Sequence, residues 1–187
     1  MGEGKLYPLG SIKPFDLSDR RELEAFLLDY FPRTIPGFAF LEADARWGEC
    51  SVDLFGKDGV GRPIAIFPTV FREERVFLEV VAQALHTAWW FEEHKGMLRR
   101  VYRQPDLDWN TPLRVILVVP ALSGRSRAVG QWLMRSGVEV VEYRCYEFES
   151  YEDERRVVLR GISLEAKGEE LSSLGGLVLG VPTVPAP

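Results

Sequence analysis

Apolar residues recur at helical spacing in two long stretches of the chain and at strand spacing in several shorter ones. Residues 18–31, SDRRELEAFLLDYF, place Leu23, Phe26, Leu27, Tyr30 and Phe31 at i, i+3, i+4, i+7 and i+8, the stripe of an amphipathic helix. Ser18 is the expected N-cap, Asp19 falls in the first turn, and Pro32 is expected to end the helix. GFAFLEADARW then carries strand-like aromatic content with no helical stripe, and Gly48 separates it from CSVDLF. In CSVDLF alternation predicts Val52 and Leu54 on one face, with Asp53 and Phe55 on the other. KDGVG supplies a turn before RPIAIF, so the three runs predict a β-meander. Pro68 donates no ladder hydrogen bond, which predicts a strand end at Phe67 or a bulge beside it.

The second helical stretch, REERVFLEVVAQALHTAWWFEEH, has Phe77, Val80, Val81, Ala84, Leu85, Ala88 and Phe91 in register and predicts the longest helix. Gly96 marks its expected end or a kink. After the polar QPDLDWNTP connection, LRVILVV (residues 113–119) is a continuous apolar run from Val115 onward, the pattern of a strand covered on both faces at the centre of a sheet. SGRSRAVGQWLM predicts a short helix stopped near Gly137, VEVVEYRCYEF a further strand, and residues 155–160 an edge strand. The expected organisation is an arm over 1–17, a domain over 18–160 and a Gly/Pro-rich tail over 161–187. No internal repeat is present.

Charge and composition narrow the function classes. The chain of 187 residues has a net charge of −5, which argues against a dedicated polyanion binder while leaving room for a weak local nucleic-acid contact. Cys50 and Cys145 lack CxxC spacing and no secretory pattern opens the chain, so a reduced, cytoplasmic protein is expected. No apolar run reaches bilayer length, so no membrane association is expected.

The element order helix, three-strand meander, long helix, buried strand, helix, strand resembles the αβββαβ core of the PD-(D/E)XK, restriction-endonuclease-like superfamily, RecB-like members included, over roughly residues 18–148. The resemblance implies an α/β fold with a central mixed sheet flanked by helices. It also implies a nuclease site in which an aspartate of the second strand and an acid-X-lysine ending the third hold a divalent metal. VDLFGKDGVGRPIAIFPT puts Asp53 on the first acid, whereas acid, X and lysine fall on Phe67, Pro68 and Thr69. Gln83 resembles the helical glutamine of RecB-like members, although their following tyrosine corresponds to Thr87.

Metal-assisted phosphodiester hydrolysis needs several oxygen ligands and a charge-stabilising group. Phe67 ligates nothing and Thr69 is no cation. The leading expectation is therefore a catalytically degenerate scaffold, needing no cofactor, that serves protein interaction or weak nucleic-acid binding. The alternative is an active Mg²⁺- or Mn²⁺-dependent nuclease with Asp53 as catalytic residue and metal ligand, a carboxylate relocated to the long helix (Glu73, Glu74 or Glu79, with Glu79 foremost), and Gln83 orienting water or phosphate. A competing reading makes Asp53 an ordinary solvent-facing or turn-bonded aspartate.

Basic residues supply candidate phosphate contacts: Arg99, Arg100 and Arg103 beside Lys95 on the long helix, and Arg125 and Arg127 at a helix start. Ordinary solvated faces are the competing reading for both groups. His86 and His94 lack the HExxH pattern of a zinc pair, and neither cysteine has an evident catalytic histidine. Three adjacent aromatics, Trp89, Trp90 and Phe91, cannot share one helical stripe. One of them is expected to anchor a protein contact, with a homodimer favoured.

Overall fold

The computed structural model describes residues 12–17, 19–71, 73–148, 154–161 and 179–180. Their elements are β1 (Ile12–Phe15), α1 (Arg20–Thr34), β2 (Ala39–Trp47), β3 (Cys50–Lys57), β4 (Pro63–Pro68), α2 (Glu74–Tyr102), β5 (Arg114–Pro120), α3 (Gly124–Arg135), β6 (Val138–Phe148), β7 (Glu154–Gly161) and β8 (Leu179–Gly180). One mixed sheet contains every strand, in the order β2-β3-β4-β5-β6-β7-β8, with β1 paired to β6. The meander β2-β3-β4 is antiparallel, while β4, β5 and β6 run parallel. Parallel neighbours require crossover connections, and α2 and α3 supply them.

Two apolar layers hold the helices to the sheet. On one face Phe77, Val81, Ala84 and Phe91 of α2 and Leu133 of α3 pack with Val52, Phe55, Phe67 and Leu117. On the other, Leu23, Phe26, Leu27 and Phe31 of α1 pack with Leu54, Ile64, Ile66 and Ile116. β5, buried from Val115 to Val119, lies between β4 and β6 and contributes to both layers. This is the central strand expected from its unbroken apolar run.

Several local expectations change. The cap of α1 is Asp19, whose Oδ1 accepts from the Arg21 N–H at 2.8 Å; Ser18 lies outside the described residues. Pro32 does not end α1, which runs to Thr34 because the Ile35 N–H still closes on the Phe31 carbonyl at 2.8 Å. β4 likewise includes Pro68, and the ladder continues past it as the Thr69 N–H donates to Val118 O at 2.9 Å. α2 passes Gly96 without ending; its irregular residue is His94, at φ −119° and ψ 15°.

Residues 12–15, within the segment expected as an arm, form β1 against residues 145–148 of β6. They take the side of β6 that β5 vacates after Pro120, which pairs with Tyr143. β7 was expected at an edge, yet Arg156 and Val157 pair onward to Gly180 and Leu179 of β8.

The alternation expected in β3 also fails. Val52 and Phe55 pack beneath α2, whereas Leu54 packs beneath α1, so the two apolar neighbours of Asp53 belong to opposite layers. The register Ala43↔Leu54 and Ala45↔Val52 sets Asp44 opposite Asp53, and Asp44 has φ +49°. A non-glycine residue in that region is uncommon, and it distorts the pleat at the point where the core residues of β3 change sides.

Candidate functional site

Asp53 sits at this break, and its carboxylate is tied to α1. Arg20 Nη1 donates to Asp53 Oδ1 at 2.9 Å, and Arg20 Nη2 to Asp44 Oδ1 at 3.3 Å. Arg20 Nε also lies 2.8 Å from Glu24 Oε1, an ion pair without the alignment of a hydrogen bond, since that oxygen is buried and unbonded among the described residues. One guanidinium thus faces three carboxylates. The Asp53 side chain is only 13% exposed, and burial pushes its carboxyl up to about 6, outweighing Arg20, with Glu24 and Asp44 adding to the rise. Glu24 is raised as well, again chiefly by burial.

The β3–β4 ladder ends at Leu54↔Ile66, so the next residues along the two strands are Asp53 and Phe67. Sequence and geometry therefore agree on what stands beside the aspartate, and Phe67 is fully buried in the layer beneath α2. Pro68 offers no side-chain donor or acceptor. Thr69 is 6% exposed; its hydroxyl accepts from the Phe71 N–H at 3.3 Å, and its carbonyl accepts from the Tyr143 hydroxyl at 3.1 Å. These residues, as arranged, do not fit a divalent ion. Asp53 is held by a cation already, its ladder neighbour is a core phenylalanine, and no group of three His, Cys, Asp or Glu among the described residues is placed to bind a metal.

The other sequence candidates are spread over the surface. Glu79 pairs with Arg75 at 2.9 Å on an exposed turn of α2. Glu73 occupies the N-cap position of α2, and Glu74 begins the helix. Gln83 Nε2 donates to Ser51 Oγ at 3.0 Å and to Ser51 O at 3.2 Å, fastening α2 to β3 two residues from Asp53. Each of these side chains thus has a contact or position other than Asp53. Sequence reasoning missed Arg20, Glu24 and Asp44 around that aspartate; only their tertiary placement reveals them.

Arg99, Arg100 and Arg103 are exposed at the end of α2, with no ion pair among the described residues, and Arg103 caps the helix in the left-handed region. Lys95 is instead engaged, 2.6 Å from Glu92. At the start of α3, Arg127 reaches Glu142 at 3.5 Å, whereas Arg125 is exposed and unpaired among the described residues.

Cys50 has a histidine neighbour the sequence did not disclose: its Sγ lies 3.6 Å from His86 Nδ1. His86 Nε2 is 3.9 Å from Glu49. Burial raises the thiol, which favours the protonated form over a nucleophilic thiolate. Cys145 is pushed up to about 12 for the same reason. His94 stacks on Trp90 and contacts its carbonyl at 2.8 Å, a packing role. Of the three adjacent aromatics, Trp90 and Phe91 are buried and Trp89 is 56% exposed, resting against His86.

The element order α1-β2-β3-β4-α2-β5-α3-β6, with β4, β5 and β6 parallel, is the α/β arrangement of a central mixed sheet flanked by helices that the sequence led us to expect. Similar solved structures include that of an EndoMS–dsDNA2 complex, at TM-score 0.44 and 25% identity over 68% of this chain and 46% of that one. Another is a repair endonuclease from Pyrococcus abyssi, at TM-score 0.46 and 20% identity over 67% of this chain and 47% of that one. The chain spans about half the length of each. No protein-family model and no curated protein matches it. No helix among the described residues is long and apolar enough to cross a membrane.

Proposed function

We propose that this protein is a nuclease-like fold in which an internal arginine has taken the place of the catalytic metal, and that it works by binding as a scaffold or interaction module. The observation that carries this reading is the 2.9 Å contact between Arg20 and Asp53. Lost metal ligands leave a buried carboxylate, and a buried charge requires a partner. A guanidinium on the neighbouring helix supplies one without providing an activated water.

The surface offers features suited to association. Trp89, Leu85 and Leu78 are exposed on α2 at spacings of four and seven, and exposed aromatics are favoured interface anchors. They support a protein partner or a second copy of the chain, while Arg99, Arg100 and Arg103 support weak contact with a phosphate backbone. Two free, buried cysteines accord with a reducing, cytoplasmic setting.

The test is cleavage of single- and double-stranded DNA and RNA in Mn²⁺ by the folded protein, beside Asp53→Ala prepared identically. Neither protein is expected to cut. Cleavage by the wild type that disappears in the variant overturns the reading and favours the alternative, a metal-dependent nuclease built on Asp53 with a second acid such as Glu79.

A further inference from the structure

We propose that the cleft at the start of α3 binds a phosphomonoester. It has a volume of about 760 Å³, within the roughly 300–1,000 Å³ typical of small-molecule sites. It lies where β5 ends at Pro120, between the first turn of α3 and the part of β6 that follows Tyr143. This inference goes beyond the reading of Asp53, which does not line the cleft.

The first turn of α3 leaves the amides of Gly124, Arg125 and Ser126 without intrahelical acceptors, as in any α-helix. Ser123 stands at the N-cap and its side chain makes no capping hydrogen bond, so these donors remain available. Ser126 adds a side-chain donor to these amides. Ser126 is only 8% exposed and lines the cleft, yet its hydroxyl has no hydrogen-bond partner among the described residues. The Ser126 oxygen is not among the enclosed unbonded atoms of the described residues, so the hydroxyl is open to the cleft and free to donate to an acceptor seated there.

Two cations frame the same space. Arg125 and Arg144 line the cleft, and neither has an ion-pair partner among the described residues. Glu142, behind the loop, is already engaged: it accepts from the Leu122 N–H at 3.0 Å and meets Arg127 at 3.5 Å. Its contact with Leu122 fixes the β5–α3 connection that presents the amides.

The donor set favours a monoester over a diester. Three amides, one hydroxyl and two guanidinium groups exceed what the two free oxygens of a diester accept, whereas a terminal phosphate offers three oxygens and nearly two negative charges. Asp16 and Glu74 also line the cleft, so its formal charge balances. Recognition here depends on donor geometry at short range, in keeping with a chain whose net charge of −5 provides no long-range attraction for anions.

Two matched pairs test the proposal on the full chain: AMP against adenosine by calorimetry, and a 5′-phosphorylated against a 5′-hydroxyl single-stranded oligonucleotide by anisotropy. The phosphorylated member of at least one pair is expected to bind at least about tenfold more tightly than its counterpart, with Arg125→Ala and Ser126→Ala each weakening it by about ten- to hundredfold. Binding of AMP assigns a free nucleotide-like ligand, and binding of the oligonucleotide alone assigns a strand end. Equal affinities within both pairs, or no binding of either phosphorylated ligand, overturn the proposal. So does unchanged binding by both variants when their melting matches the wild type. Mn²⁺-dependent cleavage would end the reading of Asp53 and leave these outcomes unaffected.

Discussion

Arg20 donates to Asp53 at 2.9 Å, joining the first turn of α1 to the middle of β3. The contact lowers the cost of burying a carboxylate without abolishing it. Burial dominates, and the Asp53 carboxyl still stands near 6 against an ordinary 3.8.

That elevation has a definite sign in stability. The folded state holds the proton more tightly than the unfolded chain, so folding is penalised as pH rises above 3.8, increasingly through about 6, and constantly beyond. Asp53→Asn resembles the protonated acid and escapes this penalty. At pH 8 the variant is expected to be more stable than the wild type, by at most roughly 3 kcal/mol, and the gain should vanish near pH 4. Urea denaturation across this range checks it; a variant less stable at pH 8 would mean that Arg20 outweighs burial.

A second prediction concerns the end of α2. Trp47 is 2% exposed, and its indole N–H donates to the Tyr102 hydroxyl at 2.7 Å, which in turn donates to Glu42. Tyr102→Phe leaves the indole donor buried without an acceptor. A loss of about 1–3 kcal/mol is expected in chemical denaturation. Glu42→Gln, which keeps an acceptor for the hydroxyl, should cost less.

Thr87 predicts the opposite sign. It is fully buried in α2, and its hydroxyl has no hydrogen-bond partner in the described residues; the nearby Cys50 thiol is a weak substitute. Thr87→Val keeps the branched shape and removes the hydroxyl. The expected outcome is equal or higher stability, by up to about 1 kcal/mol, and a clear fall in melting temperature would reveal a hydrogen bond at that site.

Gly61 ties the β3–β4 turn to the connection before β5. Its φ is +86°, its carbonyl accepts from the Asp108 N–H at 2.7 Å, and a Cβ there would lie 2.3 Å from the Asp106 carbonyl oxygen. Gly61→Ala must displace backbone as well as adopt a strained conformation. A loss of about 1–3 kcal/mol is expected, and Gly96→Ala, with open space around the glycine, serves as the contrasting control.

Periodicity carried most of the fold. The stripes on α1 and α2, the unbroken apolar run of β5 and the glycine turn between β3 and β4 are local signals, and each element formed where its signal lay. β1 was missed because four residues containing Pro14 have too little pattern to stand out, and their partner lies far along the chain at residues 145–148. The facing of Asp53 was misjudged for another reason. Alternation assumes an undistorted pleat, whereas Asp44 on the neighbouring strand adopts a positive φ, which the sequence of β3 does not contain.

The site divided in the same way. Phe67 beside Asp53 was legible because a hairpin fixes register between strands adjacent in sequence. Arg20 was not, since it approaches from a helix on the other side of the meander and nothing in its local sequence distinguishes it from Arg21. The cation at Asp53 is a product of packing.

The pairing of β1 with β6 bears on the order in which the chain can assemble. β1 has its partner at residues 145–148, so the ribosome must deliver the chain through β6 before β1 can dock. The meander and α2 have most of their contacts available earlier, and closing so long a loop is entropically slow. β1 is therefore expected to dock later than the meander and α2.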